Sequence, residues 1–182
     1  MPSGKRSRLN PRVAVAVGQD GIRLDPGGRE AGGVVALPAF NPGGELPPGV
    51  HQATLAEVLQ RFGAGSVQRR AVADRLKRLY ELVISTGHLA RFVVFGSFVT
   101  AKDEPNDVDI ILLMADTFDL ASVTGEAALV FQHMEADAHF GASVFWTRRS
   151  GAIGGEQAMI EHWQIRREGG QRGIVEIAPE TT

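Results

Sequence analysis

Two short apolar runs, Phe92-Val93-Val94-Phe95 and Val108 to Met114, constrain this chain more than any other feature. A strand with one wet face alternates polar and apolar residues. A strand without that alternation is covered on both faces, which calls for other elements packed on a sheet. The neighbouring segments supply helices. Thr54-Leu55-Ala56-Glu57 has the pattern of a capping box, and the short helix it opens stops at Gly63-Ala64-Gly65. Ser66 caps a longer helix in which Val72, Leu76, Leu79 and Val83 form one stripe of a 3.6-residue period. Gly87 suits the left-handed stop of that helix. A helix is expected from about Gly125 to His139, then a strand over Ala142 to Trp146. A short helix at Glu156 to His162 and a last strand, Gly173-Ile174-Val175-Glu176-Ile177, complete the order. This order predicts an α/β or α+β sheet with helices packed on it.

The first fifty of the 182 residues differ in character: they hold seven of the nine prolines and ten of the 22 glycines. Such a stretch is poor in regular structure. Residues 1–48 are read as a Gly/Pro-rich extension, partly disordered, and 49–182 as the domain. Within the extension, residues 1–12 are expected to be disordered and 13–48 irregular. Its strand candidates are Val13 to Val17 and, after the Asp20-Gly21 turn, Ile22-Arg23-Leu24.

Composition excludes several classes of function. The chain has no cysteine, so a disulfide framework, a cysteine zinc site and a thiol nucleophile are ruled out. A net charge of −2 gives no sign of wholesale binding to nucleic acid or membrane. No uncharged apolar run reaches the ~18 residues of a spanning helix. The basic start, MPSGKRSRLNPR, is followed by no apolar core, so a secretory signal is not expected and the default reading is cytoplasmic.

The chemistry is concentrated between residues 92 and 110. A buried strand ends in Gly96, which lets the backbone turn tightly and a ligand approach closely. Ser97 opens a helical turn, whose free N–H groups attract phosphate. Nine residues later comes Asp107-Val108-Asp109-Ile110. Residues two apart on a strand share a face, so Asp107 and Asp109 present two carboxylates side by side. Such a pair suits Mg²⁺, which takes one or two carboxylates plus substrate phosphates. Lys102 is a candidate for neutralising phosphate charge.

Phe95-Gly96-Ser97, nine residues, then Asp107-Val108-Asp109-Ile110 resembles the signature of the DNA polymerase beta-like nucleotidyltransferase superfamily. Leu46 to His51, Gly96 to Lys102, Pro105 to Asp109 and Gly173 to Ile177 look like blocks of a small prokaryotic family within it. The resemblance implies a mixed sheet with flanking helices, divalent ions (Mg²⁺ or Mn²⁺) and a nucleoside triphosphate substrate. Asp107 and Asp109 would be catalytic and metal-binding; Gly96, Ser97 and Lys102 would bind the nucleotide. A nucleoside monophosphate would pass to a hydroxyl on RNA, a protein or a small molecule. Related minimal proteins often serve toxin–antitoxin or phage-defence systems, so the resemblance implies a protein partner. The superfamily also draws a third acid from a later strand, and Ser143 stands where it is expected. Glu176, Asp137 and Glu135 are the candidate substitutes. If none serves, the chain is a catalytically weakened binding or regulatory subunit.

Other features have plainer readings. The five histidines show no ligand spacing, and His133 and His139 fall on different helix faces, against a zinc site. Trp146 and Trp163 are packing residues first and base-stacking platforms second. Arg148-Arg149 and Arg166-Arg167 read as solvated pairs unless they converge on the site, where an Arg fork matches phosphate oxygens.

Overall fold

The two apolar runs lie side by side, antiparallel, inside a five-stranded sheet. The computed structural model describes residues 36–166 and 169–178. The chain divides into two units, Met1–Gly33 and Val34–Thr182, and all the described residues belong to the second. The strand candidates at 13–17 and 22–24 and the disorder expected for 1–12 lie outside the described residues.

In chain order the elements are β1 (Gly49–Ala53), α1 (Leu55–Phe62), α2 (Val67–Ser85), β2 (Leu89–Phe95), β3 (Val108–Met114), α3 (Glu126–Val130), α4 (His133–Phe140), β4 (Ala142–Arg148), α5 (Glu156–His162) and β5 (Gly173–Ile177). The sheet order is β1-β5-β2-β3-β4. β1 runs parallel to β5 and β3 parallel to β4, while β2 is antiparallel to both of its neighbours. The sheet is therefore mixed, with flanking helices.

Local chemistry sets the helix ends as read from the sequence. The Thr54 hydroxyl accepts from the Glu57 backbone N–H, and the Glu57 carboxylate accepts from the Thr54 N–H at 2.7 Å. Ser66 caps α2 by accepting from the Arg69 N–H. Val72, Leu76, Leu79 and Val83 are all fully buried, so the stripe is the packing face of α2.

Three features depart from the sequence reading. The helix expected over 125–139 is two helices, α3 and α4, broken at Phe131-Gln132. In one continuous helix Phe131 and Ala136 would sit about 140° apart. The break lets both enter the core. Phe131 packs on Phe118 and Trp146, and the Trp146 indole N–H donates to the Phe131 carbonyl at 2.9 Å. The second departure is β1, a strand of sequence GVHQA with only two apolar side chains, which pairs along its whole length with β5. Third, the composition boundary at residue 48 falls inside the folded unit. Leu46 is 1% exposed, and Leu37 and Phe40 pack on the core. A side chain at Gly173 would lie 2.4 Å from the Pro47 carbonyl oxygen, so the bare glycine is what lets this segment cross β5.

The sheet has two unlike faces. Phe92 and Val94, Ile110 and Leu112, Val144, and Val175 join the main core with residues of α1, α2, α3 and α4. Their neighbours Val93, Phe95, Ile111, Leu113 and Ile174 point the other way, into a small cluster with Ile160 of α5. Among the described residues no helix is long and apolar enough to cross a membrane.

Candidate functional site

The open face carries the site. β2 ends at Phe95, whose register partner in β3 is Asp109. Gly96 then turns the chain with φ +77, a conformation side chains rarely adopt. A Cβ there would lie 1.8 Å from Asp109 Oδ2. The acid therefore lies against the bare backbone of the turn, and the glycine is required twice over. Ser97–Val99 form a single 3-10 turn, anchored by the buried Phe98 and Val99 and closed by the Thr100 hydroxyl donating to the Ser97 carbonyl.

The loop joining the turn to the acid pair is held from below by the start of α2. Arg69 is buried and donates to the carbonyls of Phe62 at 2.7 Å, Phe98 at 3.2 Å, and Thr100 and Lys102 at 2.5 Å each. Burial lowers its pKa, and the nearby Asp103 opposes that shift. The Ser66 hydroxyl donates to the Asp103 carbonyl and the Gln68 amide to that of Pro105. One helix end thus holds residues 98–105 in place. Arg69 was not foreseen, although a signal existed: it stands in phase with the stripe at 72, 76, 79 and 83, where an apolar residue belongs.

Asp109 is half-buried with Asp107 two residues before it, ahead of the first residue of β3. Desolvation, then the Asp107 charge, push the Asp109 pKa up to about 6, with Arg172 pulling the other way. Across β4, Ser143 is the register partner of Asp109. Both line a cleft of ≈ 780 Å³ together with Gly96, Ser97, Arg166 and Arg172. The Arg172 guanidinium lies over the Phe95 ring at 4.8 Å, and Arg166 forms an ion pair with Glu45. Arg172 was also unforeseen; it precedes Ile174 by two, in phase with the open face.

The remaining candidates fall elsewhere. Lys102 is exposed and lies outside the cleft lining, and Asp103 and Glu104 are exposed on the same loop. Glu176 faces the open side but is bound by Arg91, with Nε and Nη2 each at 2.6 Å, and by the Gln52 amide at 2.7 Å. It sits opposite Val93, one side-chain row away from the Phe95–Asp109 row. Asp137 and Glu135 are exposed on α4, whose buried residues Ala136 and Phe140 join the main core on the other face. Among the described residues no group of three or more His, Asp or Glu could hold a metal ion. Arg148 donates to the Phe118 carbonyl and Arg149 pairs with Glu156, and neither is among the cleft-lining residues. Arg167 lies outside the described residues.

Comparison with curated proteins and with solved structures gives no match. One family model matches, and its span, residues 38–178, takes in all five strands, the Gly96 turn, the acid pair and both cleft arginines. The chain belongs to that family, described as a family of unknown function (DUF6932).

Proposed function

We propose that the cleft binds a nucleoside triphosphate with Mg²⁺ (or Mn²⁺) and moves a nucleoside monophosphate to a hydroxyl acceptor, as a nucleotidyltransferase of the polymerase beta-like type acting in the cytoplasm. One observation carries the reading: Gly96 and the Asp109 carboxylate are so close that no Cβ fits between them. The turn and Asp109 therefore share one place, with Asp107 two residues before it and outside the cleft-lining residues. Bound there, a divalent ion would neutralise phosphate charge and polarise the α-phosphoryl group. Asp107 and Asp109 would hold it, as hard oxygen donors of the number Mg²⁺ commonly takes beside phosphate and water. They fit one ion. A set of three carboxylates for two ions is not present among the described residues, since Ser143 occupies the place beside Asp109.

The chain's own groups have separable tasks. The Ser97 hydroxyl and the backbone of its turn offer donors to the outer phosphates. Arg166 and Arg172 add positive charge along the cleft wall, and Arg69 keeps the turn rigid from below. The acceptor hydroxyl, on RNA, a protein or a small molecule, would attack the α-phosphorus in line, and pyrophosphate would leave.

Ser143 favours a second reading, a catalytically weakened nucleotide-binding or regulatory subunit, with the partner protein that a toxin–antitoxin setting supplies. Incubation with labelled triphosphates, cellular RNA and cellular protein separates the two. The enzyme reading expects label transfer that Asp109→Asn lowers at least ~100-fold. The subunit reading expects metal-dependent binding without transfer, and gain of transfer in Ser143→Asp. Transfer that survives Asp109→Asn would overturn both.

A further inference from the structure

We infer that the nucleobase of the triphosphate occupies a second, apolar arm of the cleft, held by stacking and without strict choice among bases. The inference rests on the triphosphate reading of the polar end. The arm is a cavity of ≈ 710 Å³ walled by the side chains of Ile111, Phe145, Met159 and Trp163, with Ile153 also in its lining. His133, Phe145, His162 and Trp163 line both it and the polar cleft, so the two cavities adjoin along these side chains.

The sheet fixes their spacing. Ser143 pairs with Asp109, Phe145 with Ile111 and Thr147 with Leu113. Each two-residue step along β4 covers about 6.6 Å. The arm thus starts about 7 Å from the acid and extends to about 13 Å. A ligand whose phosphates lie at Gly96 and Asp109 must place a flat, largely apolar group in this range to fill it. A nucleoside triphosphate has that division within one molecule: an anionic end, then a sugar, then a planar ring. The cleft is divided the same way, into acid, arginine and serine at one end and aromatic and thioether surface at the other. Ile153 is 90% exposed, apolar area that a bound base would help to cover.

The arm contains few directional groups. The His133 Nδ1 faces the Val144 carbonyl at 3.3 Å, which makes it the donor and leaves Nε2 as an acceptor in the neutral ring. Met159 is pliable and fits rings of different outline. Trp163, tilted against Phe95 and Phe145 with centroids 5.1 and 4.8 Å away, is a braced aromatic surface. Stacking on such surfaces accepts every base.

The test compares ATP, GTP, CTP and UTP with inorganic tripolyphosphate, which lacks the nucleoside, by calorimetry on the full chain with Mg²⁺ fixed. Each nucleotide should bind roughly tenfold or more tightly than tripolyphosphate, purines ahead of pyrimidines. Ala158→Trp fills the arm from an exposed position on α5. It should erase that advantage and leave tripolyphosphate affinity unchanged. In Trp146→Phe the single remaining tryptophan, Trp163, should be quenched by ATP and not by tripolyphosphate. Tripolyphosphate binding as tightly as ATP, or an advantage that survives Ala158→Trp, overturns the base assignment while the triphosphate site stands. Failure of every triphosphate, tripolyphosphate included, to bind overturns both.

Discussion

The two faces of the sheet are made by the same strands, one residue out of step, and they do opposite things. On the closed face Phe92, Val94, Ile110 and Leu112 meet apolar residues of four helices. On the open face Val93, Phe95, Asp109, Ile111 and Ser143 meet one short helix and a cleft. Register is pinned wherever one face is buried, because a slip by one residue would turn the apolar set outward. The closed face therefore fixes the positions of groups on the open one, including a carboxylate pair that repels itself and costs stability.

The largest difference between the faces should appear on truncation. Phe92→Ala should cost about 3–5 kcal/mol in chemical denaturation, the range for a buried aromatic. Phe145→Ala, half-buried on the open face, should cost less than half of that. Equal losses would mean that the open face is as much a core as the closed one.

Arg69 links the faces, rising from a helix of the closed side to the loop of the open side. Arg69→Met keeps the stem but leaves four carbonyls without their shared donor. About 3 kcal/mol of stability should go, and amide hydrogen exchange should quicken over residues 98–105. Exchange that stays slow there would show that the loop holds itself.

Glu176 lies on the open face but belongs to the scaffold. It and Arg91 are 10% and 17% exposed, and the bidentate contact raises the Arg91 pKa. Glu176→Gln should cost about 2 kcal/mol, less than the ~3–5 of a fully buried pair because some water reaches it, and Mg²⁺ affinity should not change. A parallel fall in metal affinity would make Glu176 part of the site.

The smallest effect has the opposite sign. Asp109 ionises near 6 when folded against an ordinary 3.8. The folded state thus holds this proton more tightly than the unfolded chain, so the contribution of Asp109 to stability is greatest below about 4 and is lost as pH rises through 6. Asp109→Asn should flatten that fall and raise stability at pH 7 by on the order of 1 kcal/mol, solvent screening included. A variant less stable than the parent at pH 7 would contradict the strain assigned to the acid pair.

The sequence revealed the parts that depend on neighbours along the chain. The Thr54 box, the α2 stripe, the Gly96 turn and the two apolar strands are all local patterns, and each appears in place. What escaped depends on distant partners. β1 has too few apolar residues to announce itself and exists because β5 offers it a ladder. The break at Phe131 follows from Phe118 and Trp146, which lie outside its own helix. Arg69 and Arg172 sit in phase with the two faces of the sheet, but nothing beside them in the chain marks the carbonyls or the cleft they meet. Ser143 lies beside Asp109 across β4, and only the register could set Glu176, Asp137 and Glu135 apart from the acid pair.

In the proposed function the Gly96 turn and the Asp107–Asp109 pair form one Mg²⁺–triphosphate site. Calorimetry of ATP binding with Mg²⁺ at pH 6 and pH 8, in buffers of different ionisation enthalpy, tests it most directly. Binding should need Mg²⁺ and should release more proton at pH 6 than at pH 8, as the ion displaces the proton held by Asp109. Affinity should fall at least tenfold in Asp107→Asn, Asp109→Asn and Gly96→Ala. ATP binding that persists in chelator, or is equal in all three variants and the parent, would contradict it.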